Sequence, residues 1–146
     1  MEIYTVKVHP NGDHWWYKNG LLHRTDGPAI ELANGDRYWY KNGQRHRVDG
    51  PAIEYINGDR AWYQNGQLHR TDGPAVELAN GDRQWWQKGL LHRTDGPAVE
   101  FVSGDRDWYI EGKYLTEEQF NQKTQKPTCE GKTVIIDGVK YKLVKE

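Results

Sequence analysis

A 23-residue unit recurs five times from Asn11 onward, and no other property of this sequence restricts its fold as tightly. The units read NGDHWWYKNGLLHRTDGPAIELA, NGDRYWYKNGQRHRVDGPAIEYI, NGDRAWYQNGQLHRTDGPAVELA and NGDRQWWQKGLLHRTDGPAVEFV, with a partial fifth, SGDRDWYIEGKYL, from Ser103. Gly12, Gly35, Gly58, Gly81 and Gly104 stand 23 residues apart, so the register holds without an insertion. A unit this short cannot bury an apolar face alone, and its neighbours must stack on it to make a continuous core.

Inside a unit, an aromatic run such as Tyr38-Trp39-Tyr40 leads to Asn42-Gly43, and Ala52-Ile53-Glu54-Tyr55-Ile56 leads to Asn57-Gly58. Asn-Gly supplies the positive φ angles of tight hairpin turns, so each unit is expected to hold two antiparallel strands. In Asp49-Gly50-Pro51 the Asp caps its own turn and the proline fixes φ at the start of the next strand. Two strands advance the array by about 10 Å, and five units by about 45 Å. Propeller blades need four strands each, and parallel sheets need helical crossovers, neither of which a 23-residue unit supplies. The expected fold is all-β: an elongated antiparallel hairpin-repeat sheet.

Both ends of the array depart from the repeat, as edges that need protection do. Ile3-Tyr4-Thr5-Val6-Lys7-Val8 alternates and leads into Pro10-Asn11-Gly12, which makes it a capping strand. At the other end Thr116 is followed three residues later by Gln119, with Glu117 and Glu118 between, the signature of a helix N-terminus. Beyond a polar stretch at 122–131, two apolar runs flank Asp137-Gly138 and predict a terminal β-hairpin over 133–144. The expected organisation is an array over 1–115, with its capping strand in 1–10 and repeats from 11, then a helix cap and hairpin over 116–146.

Leu, Ile, Val and Phe together number only 27 of 146 residues, but seven Trp and nine Tyr compensate, and a net charge of −1 gives little self-repulsion. An aromatic core is therefore expected. The single cysteine, Cys129, excludes an internal disulfide and a thiolate zinc site. No apolar run reaches the length of a membrane helix, and the N-terminus lacks a basic segment followed by an apolar one, so a cytoplasmic protein without a membrane span is expected.

With the period, the Lys-Asn-Gly turn, the following His and the second Asn-Gly-Asp in place, residues 11–115 resemble the MORN (membrane occupation and recognition nexus) repeat. The resemblance implies antiparallel hairpins in an extended twisted solenoid that serves as a binding or scaffolding surface. The unit Trp-Tyr-x-Asn-Gly-x-x-His-Arg-x-Asp-Gly-Pro-Ala is also similar to repeats of small bacteriophage, bacterial and large-virus proteins, and to a family described as antitoxins. That similarity implies an accessory protein inside a bacterial cell, or in the host cytoplasm if a phage encodes it.

A repeat serves as its own control, because residues that folding demands recur in every unit and residues of a particular site need not. Trp16, Trp39, Trp62, Trp85 and Trp108 occupy one equivalent position, and Tyr17, Tyr40, Tyr63, Trp86 and Tyr109 the next. The Trp column is expected to form the buried spine, beside Ile30, Ile53, Val76 and Val99, with the Tyr column on the other face. Asp36, Asp59, Asp82 and Asp105 precede Arg37, Arg60, Arg83 and Arg106 one for one, and neutralisation within these pairs weakens a phosphate-binding reading. His23, His46, His69 and His92 stand about 10 Å apart in such an array, too far to share an ion bound at about 2.0–2.1 Å. Each is expected to contact its own Asp three residues on, and no metal or cofactor is expected.

Ser103 and Cys129 lie in no nucleophile motif, and phosphate loops and metalloprotease motifs are absent from the sequence. The chain reads as non-enzymatic. The varied positions carry the site hypothesis. Trp15, Tyr38, Ala61, Gln84 and Asp107 grade from an aromatic to an acidic end, and Leu21-Leu22 and Leu90-Leu91 contrast with Gln44-Arg45. The candidate binding residues are Trp15, Tyr17, Tyr38 and Tyr40. The leading expectation is a module that binds and inhibits or scaffolds a host or cellular protein. The alternative is a nucleotide, nucleic-acid or saccharide binder using the Trp, Tyr and Arg face. Sheet edges and Leu pairs also leave a homo-oligomer open.

Overall fold

The structure, a computed structural model, describes residues 3–125 and 133–142. Cys129 and the expected end of the last strand at Leu143-Val144 lie outside the described residues. The array is one 12-stranded antiparallel sheet whose strands follow chain order, with no crossover. Thr5–Val8 caps its first edge by pairing with His14–Lys18. Leu21–Leu22 pairs back on His14–Lys18 beside the main path, and two-residue strands then alternate: Ile30–Glu31, Arg37–Tyr38, Ile53–Glu54, Arg60–Ala61, Val76–Glu77, Arg83–Gln84 and Val99–Glu100. Arg106–Ile110 and Lys113–Leu115 close it.

Interior units carry four short strands where two were expected, because the aromatic run is divided at its tryptophan. Arg37–Tyr38 belongs to the long ladder, whereas Tyr40–Lys41 pairs with Gln44–Arg45 in a separate outer hairpin. Tyr63–Gln64 with Gln67–Leu68, and Trp86–Gln87 with Leu90–Leu91, repeat this. The tryptophan is the joint. The Trp39 N–H donates to the Ala52 carbonyl at 2.8 Å, and its own carbonyl accepts from the His46 N–H at 3.1 Å. The outer turn is type I′, with φ of 49° at Asn42 and 80° at Gly43. The inner turn differs: Gly35 has φ 102° while Asn34 is not left-handed, and the Leu32 N–H reaches the Asp36 carbonyl at 2.9 Å.

Register sets which residues share a face. Trp15, Ile30, Tyr38, Ile53, Ala61, Val76, Gln84, Val99 and Asp107 are successive cross-strand partners and form one row. Their chain neighbours His14, Glu31, Arg37, Glu54, Arg60, Glu77, Arg83, Glu100 and Arg106 form the parallel row on the opposite face. The core follows the first row. Ile30, Ile53 and Val99 are buried, and Ala29, Ala52, Ala75 and Ala98 are 0% exposed.

The tryptophan column is not the buried spine that recurrence suggested. Trp16, Trp39, Trp62 and Trp85 are only part-buried and lie on the Glu side of the ladder. Each carries an arginine from its own unit: the guanidinium carbons of Arg24, Arg47, Arg70 and Arg93 stand 4.1, 4.0, 4.0 and 3.8 Å from the ring centres. The aliphatic Ala-Ile column is the spine, and the tryptophans pack under a layer of cations.

At the C-terminal end the helix Glu117–Thr124 starts where the sequence predicts. The Thr116 hydroxyl accepts the Gln119 N–H at 3.2 Å, and the Gln119 side chain accepts the Thr116 N–H at 3.0 Å. Phe120 is buried with Ile110 and Leu115, and Trp108 packs against them, so the last tryptophan has a helix in place of an arginine. Thr133–Ile136 and Val139–Lys142 form the terminal hairpin, with φ of 50° at Asp137 and 79° at Gly138. Among the described residues no helix is long and apolar enough to cross a membrane.

Candidate binding face

The two faces of the array differ in how strictly they repeat. On the outer face the His-Arg-x-Asp-Gly-Pro segment builds the same clamp four times. In the third unit Arg70 Nε donates to Asp72 at 2.8 Å, and Nη1 donates to the Pro74 carbonyl at 3.0 Å and to Glu77 at 3.1 Å. The guanidinium beside it holds the Asp72 carboxyl below the usual carboxylate range, first through that hydrogen bond and then through its charge. Gly73 lies close under the clamp, since a Cβ there would lie 3.0 Å from the Arg70 Cζ and the guanidinium would have to give way. Asp26, Asp49 and Asp95 are held in the same way.

The histidines join one unit to the next. Nδ1 of His23, His46, His69 and His92 accepts the backbone N–H of Asn42, Asn65, Lys88 and Glu111, each at 3.0 Å and 19 residues on. The expected partners, Asp26 and its counterparts, are taken by arginine instead. The other edge is stitched by the Asn-Gly-Asp turns. Asp36 Oδ1 accepts the Ile56 N–H at 2.8 Å, 20 residues away, while Oδ2 accepts from Asn34 at 2.9 Å. Asp13, Asp59 and Asp82 reach Ala33, Ala79 and Val102 equivalently. These carboxylates are committed to backbone and form no ion pair with the arginines that follow them. Arg37, Arg60, Arg83 and Arg106 are exposed and have no ion pair among the described residues. Nor do three His, Cys, Asp or Glu side chains come together there as a metal set.

The inner face combines the Trp15–Asp107 row with the outer hairpins. Trp86 Nε1 donates to Gln84 Oε1 at 2.9 Å, which ties the hairpin to that row. All four candidate residues point to this face. Trp15 and Tyr38 flank Ile30 in the row, about 10 Å apart across two strand spacings. The Trp15 ring centre lies 5.3 Å from that of His9, and its indole N–H is buried without a hydrogen-bond partner among the described residues. Tyr17 carries Lys7 Nζ 4.8 Å from its ring centre. Tyr38 packs edge-on against Tyr55 at 5.8 Å. Its phenol is pushed up to about 12, by burial first and then by Tyr55 and Asp36, with Arg45 opposing. Tyr40 faces Arg45 directly across the second hairpin.

Two residues of this face were not among the candidates. Arg45 was visible as a departure from Leu22, Leu68 and Leu91, but only the folded hairpin sets it among tyrosines. Tyr55 replaces Leu32 and Leu78 at the corresponding position, and that contrast was the signal that could have found it.

An all-β hairpin-repeat array with one uniform and one varied face is the class that fold and site define. No known protein family matches the chain, and no curated protein does.

Proposed function

We propose that this chain is a non-enzymatic protein-binding module that inhibits or scaffolds a host or cellular protein through the varied inner face. One observation carries the reading. The outer face repeats its clamp unchanged, as structural upkeep demands, whereas the inner row runs from Trp15 and Tyr38 to Gln84 and Asp107. An elongated sheet suits a broad contact, and an aromatic cluster at one end suits the few residues that dominate such contacts. The resemblance to MORN repeats and to phage, bacterial and large-virus accessory proteins supports the same reading, and the proposed compartment is the cytoplasm, that of the host cell if a phage encodes the chain. The test is affinity capture from the host, read by mass spectrometry. Trp15→Ala with Tyr38→Ala should abolish capture while the circular-dichroism spectrum stays that of the folded array. Capture retained by that variant would sink the assignment.

A second reading rests on three clefts between successive outer clamps. The first, about 530 Å³, is bounded by Arg24–Pro28, Trp39 and Asp49, and two more of about 520 and 460 Å³ repeat it at Trp62 and Trp85. Their Trp, Asp and Arg walls suit a nucleotide or a saccharide. Tryptophan fluorescence titrated with nucleotides and oligosaccharides separates the readings, since only the second expects a saturable change.

A further inference from the structure

Three departures from the repeat meet at one place on the inner face. Where the first, third and fourth units carry leucine the second carries Arg45, Tyr55 replaces Leu32 and Leu78 and corresponds to Phe101, and Tyr38 stands where the next two units have Ala61 and Gln84. Arg45 lies directly opposite Tyr40 in its hairpin, and its guanidinium carbon is 5.5 Å from the Tyr63 ring centre. Tyr38 feels its charge and packs in turn on Tyr55.

No carboxylate serves this cation. Arg45 has no ion pair among the described residues and its Nε is buried without a hydrogen-bond partner, so it is the phenols of Tyr40 and Tyr63 alone that engage the guanidinium. The contrast with Arg24, Arg47, Arg70 and Arg93 is chemical, since each of those holds two carboxylates. Nor does the fold ask for a cation here, because Leu22, Leu68 and Leu91 support equivalent hairpins. A part-buried guanidinium without an anion is a cost that a bound anion removes.

We propose that Arg45, with Tyr38, Tyr40, Tyr55 and Tyr63 around it, is the receptor for a carboxylate of the protein partner, an Asp or Glu side chain or a C-terminus. The proposal rests on the protein-binding reading and names the chemistry of its anchor. A planar guanidinium matches a carboxylate edge to edge, and the aromatic surround excludes the water that would otherwise screen the pair. Burial holds the Tyr38 phenol in its neutral form, so its hydroxyl can donate.

The probe is N-acetyl-tetraglutamate amide, added to the ¹⁵N-labelled full chain while the Arg45 Nε–H resonance is followed. Tetraglutamine and inorganic phosphate at equal ionic strength are the controls. The expected result is a saturable shift with tetraglutamate alone. Arg45→Leu should keep the wild-type circular dichroism and lose the accompanying shifts of the Tyr38 and Tyr55 rings. Arg45→Lys should bind at least about ten-fold more weakly, as loss of the planar charge-assisted pair implies. No saturable shift, an equal response to tetraglutamine, or a phosphate response as strong would each overturn the proposal. So would an Arg45→Leu chain that fails to fold, because the cation would then belong to the structure. If tetraglutamate fails while Trp15→Ala with Tyr38→Ala still abolishes partner capture, the anchor is wrong and the protein-binding reading stands. If tetraglutamate binds while the wild type captures nothing, the reverse holds.

Discussion

Replacing Arg70 by lysine keeps the charge at the centre of the array and removes the plane that carries it. Arg70 stacks 4.0 Å above Trp62, donates to Asp72 and Glu77, and reaches the Pro74 carbonyl. Stacking of this kind contributes about 0.5–2 kcal/mol, with the upper end for desolvated pairs. The carboxylate partners are 82% and 35% exposed, so solvent screens both ion pairs and they add little to the stacking. Lysine can keep one of these contacts but cannot stack and fork at once, so Arg70→Lys should cost about 1–2 kcal/mol. At this chain length that lowers the melting temperature by about 3–6 °C in calorimetry or circular dichroism. The clamp geometry adds an internal check. Gly73→Ala places a Cβ 3.0 Å from the Arg70 Cζ, so it should destabilise the wild type more than it destabilises the Arg70→Lys background. An Arg70→Lys variant within about 0.3 kcal/mol of wild type, a scale typical of neutral surface changes, would refute the clamp. Strictly additive costs of the two substitutions would refute the close approach.

Two further predictions concern titration. The Asp59 carboxyl is lowered, first by the Ala79 N–H and then by Asn57, from an ordinary value of 3.8. A group lowered in the folded state contributes stability above its unfolded value and loses it as pH falls through the folded one. Melting temperature should therefore begin to fall below about pH 4, and Asp59→Asn should flatten that fall. An acid limb identical in the variant would show that the turn-to-turn bonds do not matter. In absorbance at 295 nm one tyrosine, Tyr38, should ionise late, at about 12, and Tyr38→Phe should remove that step. Loss of a step near the ordinary value of 10.0 instead would mean that Tyr38 is not desolvated.

The period, the outer turn at Asn42-Gly43 and the helix start at Thr116 were legible because each depends on residues within a few positions. The role of the tryptophans was not. Alternation puts Trp39 and Tyr40 on opposite faces, as found, but only the register Ile30–Tyr38–Ile53 shows that the aliphatic core lies on the face away from Trp39. The His46 partner lies 19 residues away in the next unit and the Asp36 partner 20 residues away at the far end of its own, both beyond any local turn rule. Arg47 illustrates the same limit, since its long side chain reaches back over Trp39 and forward to Glu54. For the site, the sequence marked the varied positions Trp15 and Tyr38, while the grouping of Arg45 with Tyr55 required the hairpin to fold against the ladder.

The central claim is that the uniform outer face maintains the sheet while the varied inner face binds. Amide hydrogen exchange of the chain, alone and with its captured partner, tests this most directly. The account predicts new protection at Trp15–Tyr17, Tyr38–Arg45 and Tyr55, with the Asp26, Asp49, Asp72 and Asp95 loops unchanged. Protection confined to those four loops would place the partner on the clamp face and contradict the account.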